Sequence, residues 1–335
     1  MNLKKRALIF LLAILVLAVF IRTYSLLEAV NEKDQSQQIV EIRSGMSGRD
    51  ISNLLAEEGL IKSADVFYLL IRVKNSNLRS GHYGFSPADD AFSILESLEK
   101  GDELQFQLTV PEGFTIREII ERLAGLERPD YQRHKLAEAF NDQAQLLNFE
   151  EAQLQREEII EAAEGLVIPD TYRFPLSYSE EQLVRDLINN FNRQRLPQLR
   201  EAAAESEYDA YQLLIIASLI ETEGKLDSEN EIIASVIYNR LDRGMPLQLD
   251  ATVQYVLPER KSRLFYVDLE VESPYNTYQI DQLPPAPIAN PGTRALLAAI
   301  EPAESDYLFY FARDDGSHVF TESYQQHLEK QRQLD

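Results

Sequence analysis

Two carboxylates close a segment that is otherwise almost wholly apolar: Tyr211-Gln212-Leu213-Leu214-Ile215-Ile216-Ala217-Ser218-Leu219-Ile220-Glu221-Thr222-Glu223. A carboxyl group set into an apolar wall is disfavoured as an anion, so it holds its proton closer to neutrality and can act as a general acid. Read as a helix apolar nearly all round, the segment should be buried. Each helical residue turns about 100°, so Glu221 and Glu223 point about 200° apart and cannot address one substrate atom together. Glu221 stacks over Leu214, Ala217 and Ser218, and Glu223 over Ile216, Leu219 and Ile220. A plainer reading stays open: the helix ends here, with Gly224 as its stop, and both acids face water.

Downstream, Leu247-Gln248-Leu249-Asp250-Ala251-Thr252-Val253-Gln254-Tyr255, Tyr275-Asn276-Thr277-Tyr278 and Leu283-Pro284-Pro285-Ala286-Pro287-Ile288-Ala289-Asn290-Pro291-Gly292 are dense in Tyr, Asn, Gln, Thr and Pro. Neutral hydrogen-bonding groups beside aromatic rings suit a sugar polymer, whose hydroxyls need partners and whose ring faces need flat apolar contact. The Pro-rich run makes a stiff, preset loop. Structural turns with tyrosines packed beneath them are the alternative.

The elements that would position these residues follow from periodicity. Alternation over Gln38 to Arg43 and again over Leu104 to Val110 predicts two strands. Each strand leads into the same pattern, Gly45-Met46-Ser47 before Asp50-Ile51 and Gly113-Phe114-Thr115 before Glu118-Ile119. A hydroxyl residue three before an acid is the capping-box signal for a helix start. The chain thus makes strand, Gly turn and capped helix twice, which predicts a pair of small α+β units. Residues 128–163 predict a helical insert with Leu146, Leu147, Phe149, Leu154, Ile159 and Ile160 on the buried side. A turn at Glu164-Gly165 follows, and from Glu180 to about Arg243 the chain is mostly helical, with Ala234 to Leu241 as an amphipathic helix.

The bulk numbers bound the function. The 335 residues suffice for two or three domains, and 44% hydrophobic content provides a sizeable core. A net charge of -22 disfavours nucleic acid, whose phosphates it would repel. There is no cysteine, hence no disulfide and no thiolate chemistry. His82, His134, His318 and His327 form no HExxH pair, and neither a P-loop nor GxGxxG occurs. At the N-terminus, Lys4, Lys5 and Arg6 precede an uncharged apolar run from Ala7 to Ile21. A helix over 7–27 would span roughly 31 Å, close to a bilayer core of about 30 Å. A cleaved signal peptide is the rival, but bulky residues stand where its small-x-small site would be. The anchor is therefore preferred, with 1–6 as a cytoplasmic tail and the rest outside. Residues 28–37 read as a polar tether.

Taken in order, these segments resemble a known family. Glu164-Gly165 with Pro169-Asp170-Thr171-Tyr172, Ala217-Ser218-Leu219-Ile220-Glu221-Thr222-Glu223, Val236-Ile237-Tyr238-Asn239-Arg240-Leu241, the three loop segments above, and Gly316-Ser317-His318-Val319-Phe320 with His327 together resemble the endolytic murein transglycosylases, the MltG or YceG-like family. The resemblance implies an α+β protein: a single transmembrane helix, a LysM-like glycan-binding subdomain over 38–102, and a mixed α+β catalytic domain over 103–335. It implies a cell inner membrane location with the catalytic domain in the periplasm. It implies Glu221 as the catalytic residue and Glu223 as a supporting one. Gln248, Asp250, Thr252, Tyr275, Asn276 and Asn290 are candidates for holding the sugar or supporting those that do. The family usually carries Lys between the two acids, where this chain has Thr222, which alters the electrostatics beside Glu221.

The implied reaction needs one acid. Glu221 protonates the bridging oxygen between N-acetylmuramic acid and N-acetylglucosamine, then takes the proton of the muramic C6 hydroxyl as it closes on C1. A 1,6-anhydro end forms and no water is consumed. No cofactor and no metal is called for. The implied partners are peptidoglycan glycan strands and the peptidoglycan synthases or penicillin-binding proteins of elongation or division, with a role in ending nascent strands. Two alternatives remain. A hydrolytic muramidase needs a second carboxylate to hold a water, for which Asp250 is the candidate. A non-catalytic wall-binding scaffold needs neither acid.

Overall fold

The computed structural model describes residues 3–144, 149, 158–224 and 226–334. Helix α1 (Leu3–Ser25) contains an 18-residue window, Leu8–Ser25, of mean hydropathy 2.4, long and apolar enough to cross a membrane. Near its end Thr23 and Ser25 hydroxyls fold back onto the Val19 and Arg22 carbonyls, so polar groups there stay bonded within the helix. Backbone hydrogen bonds reach the expected polar tether, residues 28–37, at Asn31, and the residue before the tether at Leu27. Asn31 N–H donates to the Pro87 carbonyl, and Ala91 N–H to that of Leu27.

The chain divides into two compact units, Met1–Phe106 with Arg173–Ser177, and Gln107–Tyr172 with Tyr178–Asp335. In the first, β1 (Gln38–Ile42) pairs antiparallel with β2 (Gly81–Phe85), placing Gln38 opposite Phe85 and Ile42 opposite Gly81. Between them run α2 (Gly48–Glu57) and α3 (Ala64–Lys74), and α4 (Ala91–Lys100) follows. Alternation along β1 turns Val40 and Ile42 inward, where Leu55, Phe67, Tyr83 and Leu98 complete a closed core.

Strand β3 (Gln105–Val110) pairs with β4 (Asp170–Pro175), a strand that the turn signal at Glu164-Gly165 hides in the sequence. After β3 comes α5 (Ile116–Ala124). Both expected capping boxes are present: Ser47 with Asp50 on α2, and Thr115 with Glu118 on α5. Among the described residues of the insert, α6 (Arg133–Ala144) is helical. Residues 158–163 are turn, Ile159 is half-buried and Ile160 exposed. Phe149 is buried as expected, between Phe191 and Tyr211, while Leu146, Leu147 and Leu154 lie outside the described residues.

Helices α7 (Glu180–Gln194), α8 (Leu196–Ala203), α9 (Ala210–Glu223) and α10 (Asn230–Asp242) then follow. The apolar segment is α9, capped at Asp209 by a box with Gln212. Every residue from Leu213 to Ile220 is buried, because α9 packs against α8, α10 and α12 (Thr293–Ile300). A short helix α11 (Asp250–Val256) touches it near its end. The antiparallel hairpin β5 (Phe309–Ala312) and β6 (His318–Thr321), with α13 (Tyr324–Leu334), closes the chain.

The Thr115 box fixes the turn that leads from β3 into α5. Thr115→Ala should cost the chain about 1 kcal/mol, read as a lowered midpoint of chemical denaturation. An unchanged midpoint would show that the box adds nothing.

Candidate active site

Helix α9 brings Glu221 to its last turn, where the apolar wall ends and a cleft of about 480 Å³ begins. The Glu221 carboxyl is half-buried, and one oxygen is held: Gly292 N–H donates to Oε2 at 2.9 Å. Oε1 takes no hydrogen bond from the described residues. Burial pushes the Glu221 pKa up, the Gly292 bond pulls it down, and the charges of Glu112 and Asp227 push it up again. The negative end of the α9 dipole works in the same direction. With Oε2 accepting, a proton on the neutral carboxyl sits on Oε1, the oxygen left to donate.

Two turns flank this group, and each needs a glycine. Gly113 has φ +74°, and even a Cβ built there would stand 3.7 Å from Glu221 Oε1, so the turn passes beside the carboxyl without covering it. Gly165 has φ +82°, and a Cβ there would come within 2.8 Å of Pro287. A glycine at 165 therefore lets the Pro-rich loop close on α9. Ser218 fastens that loop from the helix side, accepting from Ile288 N–H at 3.1 Å while donating to the Ile215 carbonyl.

Asn290 joins the two turns to the loop. Its Oδ1 accepts from Val167 N–H at 2.8 Å, and its Nδ2 donates to the Phe114 carbonyl at 2.8 Å and to Glu164 Oε1 at 3.3 Å. Its backbone pairs both ways with Gly113 and Phe114. Glu164 is 1% exposed and accepts from Ile116 N–H at 3.0 Å and from Tyr255 Oη at 3.2 Å. Burial pushes the Glu164 pKa up to about 8, ahead of the lowering by the Ile116 and Tyr255 bonds.

The expected sugar-holding residues separate into two groups. Thr252, Tyr275, Asn276 and Asn290 are fully buried, so a direct hold on sugar gives way to a supporting place. Thr252 Oγ1 meets Thr277 Oγ1 at 2.9 Å, Tyr275 Oη accepts from Ile160 N–H, and Asn276 Nδ2 donates to the Leu269 and Val271 carbonyls. Gln248 and Asp250 are exposed but do not line the cleft. Gln248 has a left-handed backbone, φ +54°, and its N–H donates to the Thr277 carbonyl. Asp250 accepts from Tyr278 Oη at 2.6 Å and lies by Glu223 rather than Glu221.

Glu223 does point elsewhere, as helix geometry requires. Its Oε2 accepts from Tyr310 Oη at 2.9 Å. Burial pushes its pKa up, the Tyr310 bond opposes this, Asp250 adds to it and His318 subtracts. Nearby, buried Arg240 donates to the Leu308, Pro246 and Leu247 carbonyls. Thr222 bends back onto the Ser218 and Leu219 carbonyls.

The cleft contains acids that spacing along α9 does not reveal: Glu112, Glu118, Glu161 and Glu164 join Glu221 on its walls. Glu118 is occupied by the α5 cap, and Glu164 by its three donors. Glu112 lies against Gly292, leaving no room for a Cβ there, and is exposed. Gln254 and Tyr255 also line the cleft, one helical turn beyond the predicted Asp250. Among the described residues no cluster of His, Asp and Glu has metal-holding geometry.

Comparison with known proteins places these features in context. The model of the YceG-like family matches residues 40–333. The endolytic murein transglycosylase of Bacillus subtilis (strain 168) is 32% identical over 323 residues, 92% of this chain and 88% of that protein. That of Streptococcus pneumoniae serotype 2 (strain D39) is 29% identical over 82% of this chain, which spans only 54% of the streptococcal protein. The crystal structure of a yceG-like protein from Listeria monocytogenes is similar at TM-score 0.62 and 31% identity, over 88% of this chain and 99% of that one.

Glu164 gives the site a pH signature. Its proton is held up to about pH 8 in the folded chain, against an ordinary 4.5. Between those values the folded state binds more protons than the unfolded, so stability falls as pH rises. In Glu164→Gln this fall should be shallower, measured by denaturant titrations from about pH 5 to about pH 8. Equal slopes in the two proteins would place the titration elsewhere.

Proposed function

This chain belongs to the YceG-like family, and we propose that it cuts peptidoglycan glycan strands internally as a lytic transglycosylase, with Glu221 as acid and then base. The observation that carries this reading is the state of one carboxyl group. Glu221 is pushed toward its protonated form by burial, anchored through Oε2 by Gly292 N–H, and left at the cleft with Oε1 unbonded among the described residues.

The steps balance on that single group. Oε1–H gives its proton to O4, the oxygen bridging muramic C1 and glucosamine C4, and the C1–O4 bond breaks. The resulting carboxylate takes the proton of the muramic C6 hydroxyl as that oxygen bonds to C1. The product carries a 1,6-anhydro end, and Glu221 is protonated again for the next turnover. The nucleophile belongs to the sugar itself, so proximity is built into the substrate. Asn290, Glu164 and Ser218 hold the walls, and Glu223 supports the end of α9 from its other side.

We further propose that α1 anchors the chain with its basic end inside and everything after residue 27 outside. The first unit would hold glycan as a LysM-like module, and the enzyme would end nascent strands beside a peptidoglycan synthase. The apolar window Leu8–Ser25 supports the anchor. A hydrolytic muramidase is the second reading, and Glu112 rather than Asp250 is the observation that favours it. This exposed carboxylate lies close enough to Glu221 to raise its pKa and so could hold a water.

Glu221→Gln keeps the Oε2 acceptor but has no proton to give, and should lower cleavage of purified uncross-linked strands by about a thousandfold. Strands cut at the wild-type rate would remove Glu221 from its role. The neutral variant Glu112→Gln takes away a charge that raises the Glu221 pKa. Activity needs the protonated acid and fades as pH climbs through that pKa. Its alkaline limb should therefore move to lower pH in Glu112→Gln, and a limb that stays put would show that Glu112 does not act on Glu221.

A further inference from the structure

One part of the second unit takes no share in the chemistry above. After α11 the chain runs out from the cleft as an arm. Leu257, Pro258 and Arg260 line the cleft itself. Further along, Phe265, Tyr266 and Val267 stand 62%, 90% and 70% exposed. A monomer gains nothing by displaying adjacent large apolar side chains, and such patches mark binding surfaces.

The display is built rather than loose. Gln254 grips the arm with both ends of its amide, donating to the Lys261 carbonyl at 2.8 Å and accepting from Lys261 N–H at 2.9 Å. Lys261 Nζ pairs at 2.5 Å with buried Asp268, whose other oxygen accepts from Phe265 N–H at 2.9 Å. Asn276, fully buried, holds the Leu269 and Val271 carbonyls. These three clamps fix the backbone on both sides of the aromatic pair, so little ordering entropy remains to be lost on binding. The arm also carries charge. Arg260 and Arg263 are exposed and have no ion-pair partner among the described residues, while Glu259, Glu270 and Glu272 are exposed on the same stretch.

The geometry points to this arm as a distal subsite for the glycan strand. Phe265 and Tyr266 would stack on sugar ring faces, and Arg260 and Arg263 would meet carboxylates of the strand's lactyl and peptide groups. The inference rests on the proposed activity at Glu221 and extends its site outward. Two observations select the strand as occupant. The arm is continuous with the cleft through Leu257, Pro258 and Arg260, and Arg260 and Arg263, unpaired among the described residues, offer guanidinium donors to the strand's carboxylates. Exposed aromatics beside arginines also suit a lipid surface, but such a surface has no need of the cleft.

The test uses a feature of composition: the chain has no tryptophan. Tyr266→Trp in the full-length Glu221→Gln protein, held in nanodiscs, makes the arm report through a single indole. Purified long glycan strands should shift its emission to the blue, saturably, in discs of phosphatidylcholine with or without phosphatidylglycerol. Phe265→Ser/Tyr266→Ser should weaken co-sedimentation with the same strands by about tenfold, and Arg260→Ser/Arg263→Ser should also weaken it. Emission already blue in the phosphatidylglycerol discs, before any strand is added, would assign the arm to lipid and overturn the inference. So would strands that bind the protein yet leave the emission unmoved. Strand cleavage by Tyr266→Trp with Glu221 intact reports separately on the activity. Cleavage with an unresponsive indole sinks the arm alone, whereas neither cleavage nor strand binding sinks both.

Discussion

The structure turns on the cost of holding an ionisable group at the edge of an apolar wall. Helix α9 is buried from Leu213 to Ile220, and Glu221 follows in the next position. An isolated carboxylate there would be expensive, so the group keeps its proton. Gly292 N–H accommodates one oxygen without neutralising the other. For that N–H to be in place, the Pro-rich loop must lie tightly along α9, which requires Gly165 to lack a side chain and Ser218 to hold Ile288. A burial constraint on one residue thus sets the path of three separate segments.

Asn290 and Glu164 show how those segments are held in register. Asn290 uses both ends of its side chain and both backbone groups, and Glu164 collects three donors from three segments. Leaving any of these buried groups unpaired would cost about 1–3 kcal/mol. Polar residues of this kind, dense in loops near a site, have the composition of a sugar-binding surface. Burial assigns most of them instead to the framework behind it. The surface that faces the cleft is more acidic than its framework, through Glu112, Glu118, Glu161 and Glu221.

How much of this was legible in the sequence differs from element to element. The buried helix and its terminal acid follow from an unbroken apolar run, and the two capping boxes from a hydroxyl and an acid at fixed spacing. The divergence of Glu221 and Glu223 follows from helix geometry alone, and Tyr310 bears it out by taking up Glu223. The roles of Thr252, Tyr275, Asn276 and Asn290 were not legible in this way, because residue type does not say which side of a loop faces water. Glu112 and Glu164 come to the cleft across 109 and 57 residues of chain from Glu221, a closeness that only tertiary packing creates. Strand β4 was masked by the turn residues before it. The helical reading of 158–163 failed because short apolar pairs such as Ile159-Ile160 fit a turn as well as a helix.

The proposed reaction needs one carboxyl group, with the substrate's own hydroxyl as nucleophile. The second acid by Glu221 makes this a question of where the attacking oxygen comes from. Cleavage of purified glycan strands in heavy-oxygen water, followed by mass spectrometry of the new muramic ends, answers it directly. Ring closure by the C6 hydroxyl gives anhydro ends that lack the mass of one water and carry no heavy oxygen. Reducing ends labelled with one heavy oxygen would contradict it and show that a carboxylate such as Glu112 delivers water instead.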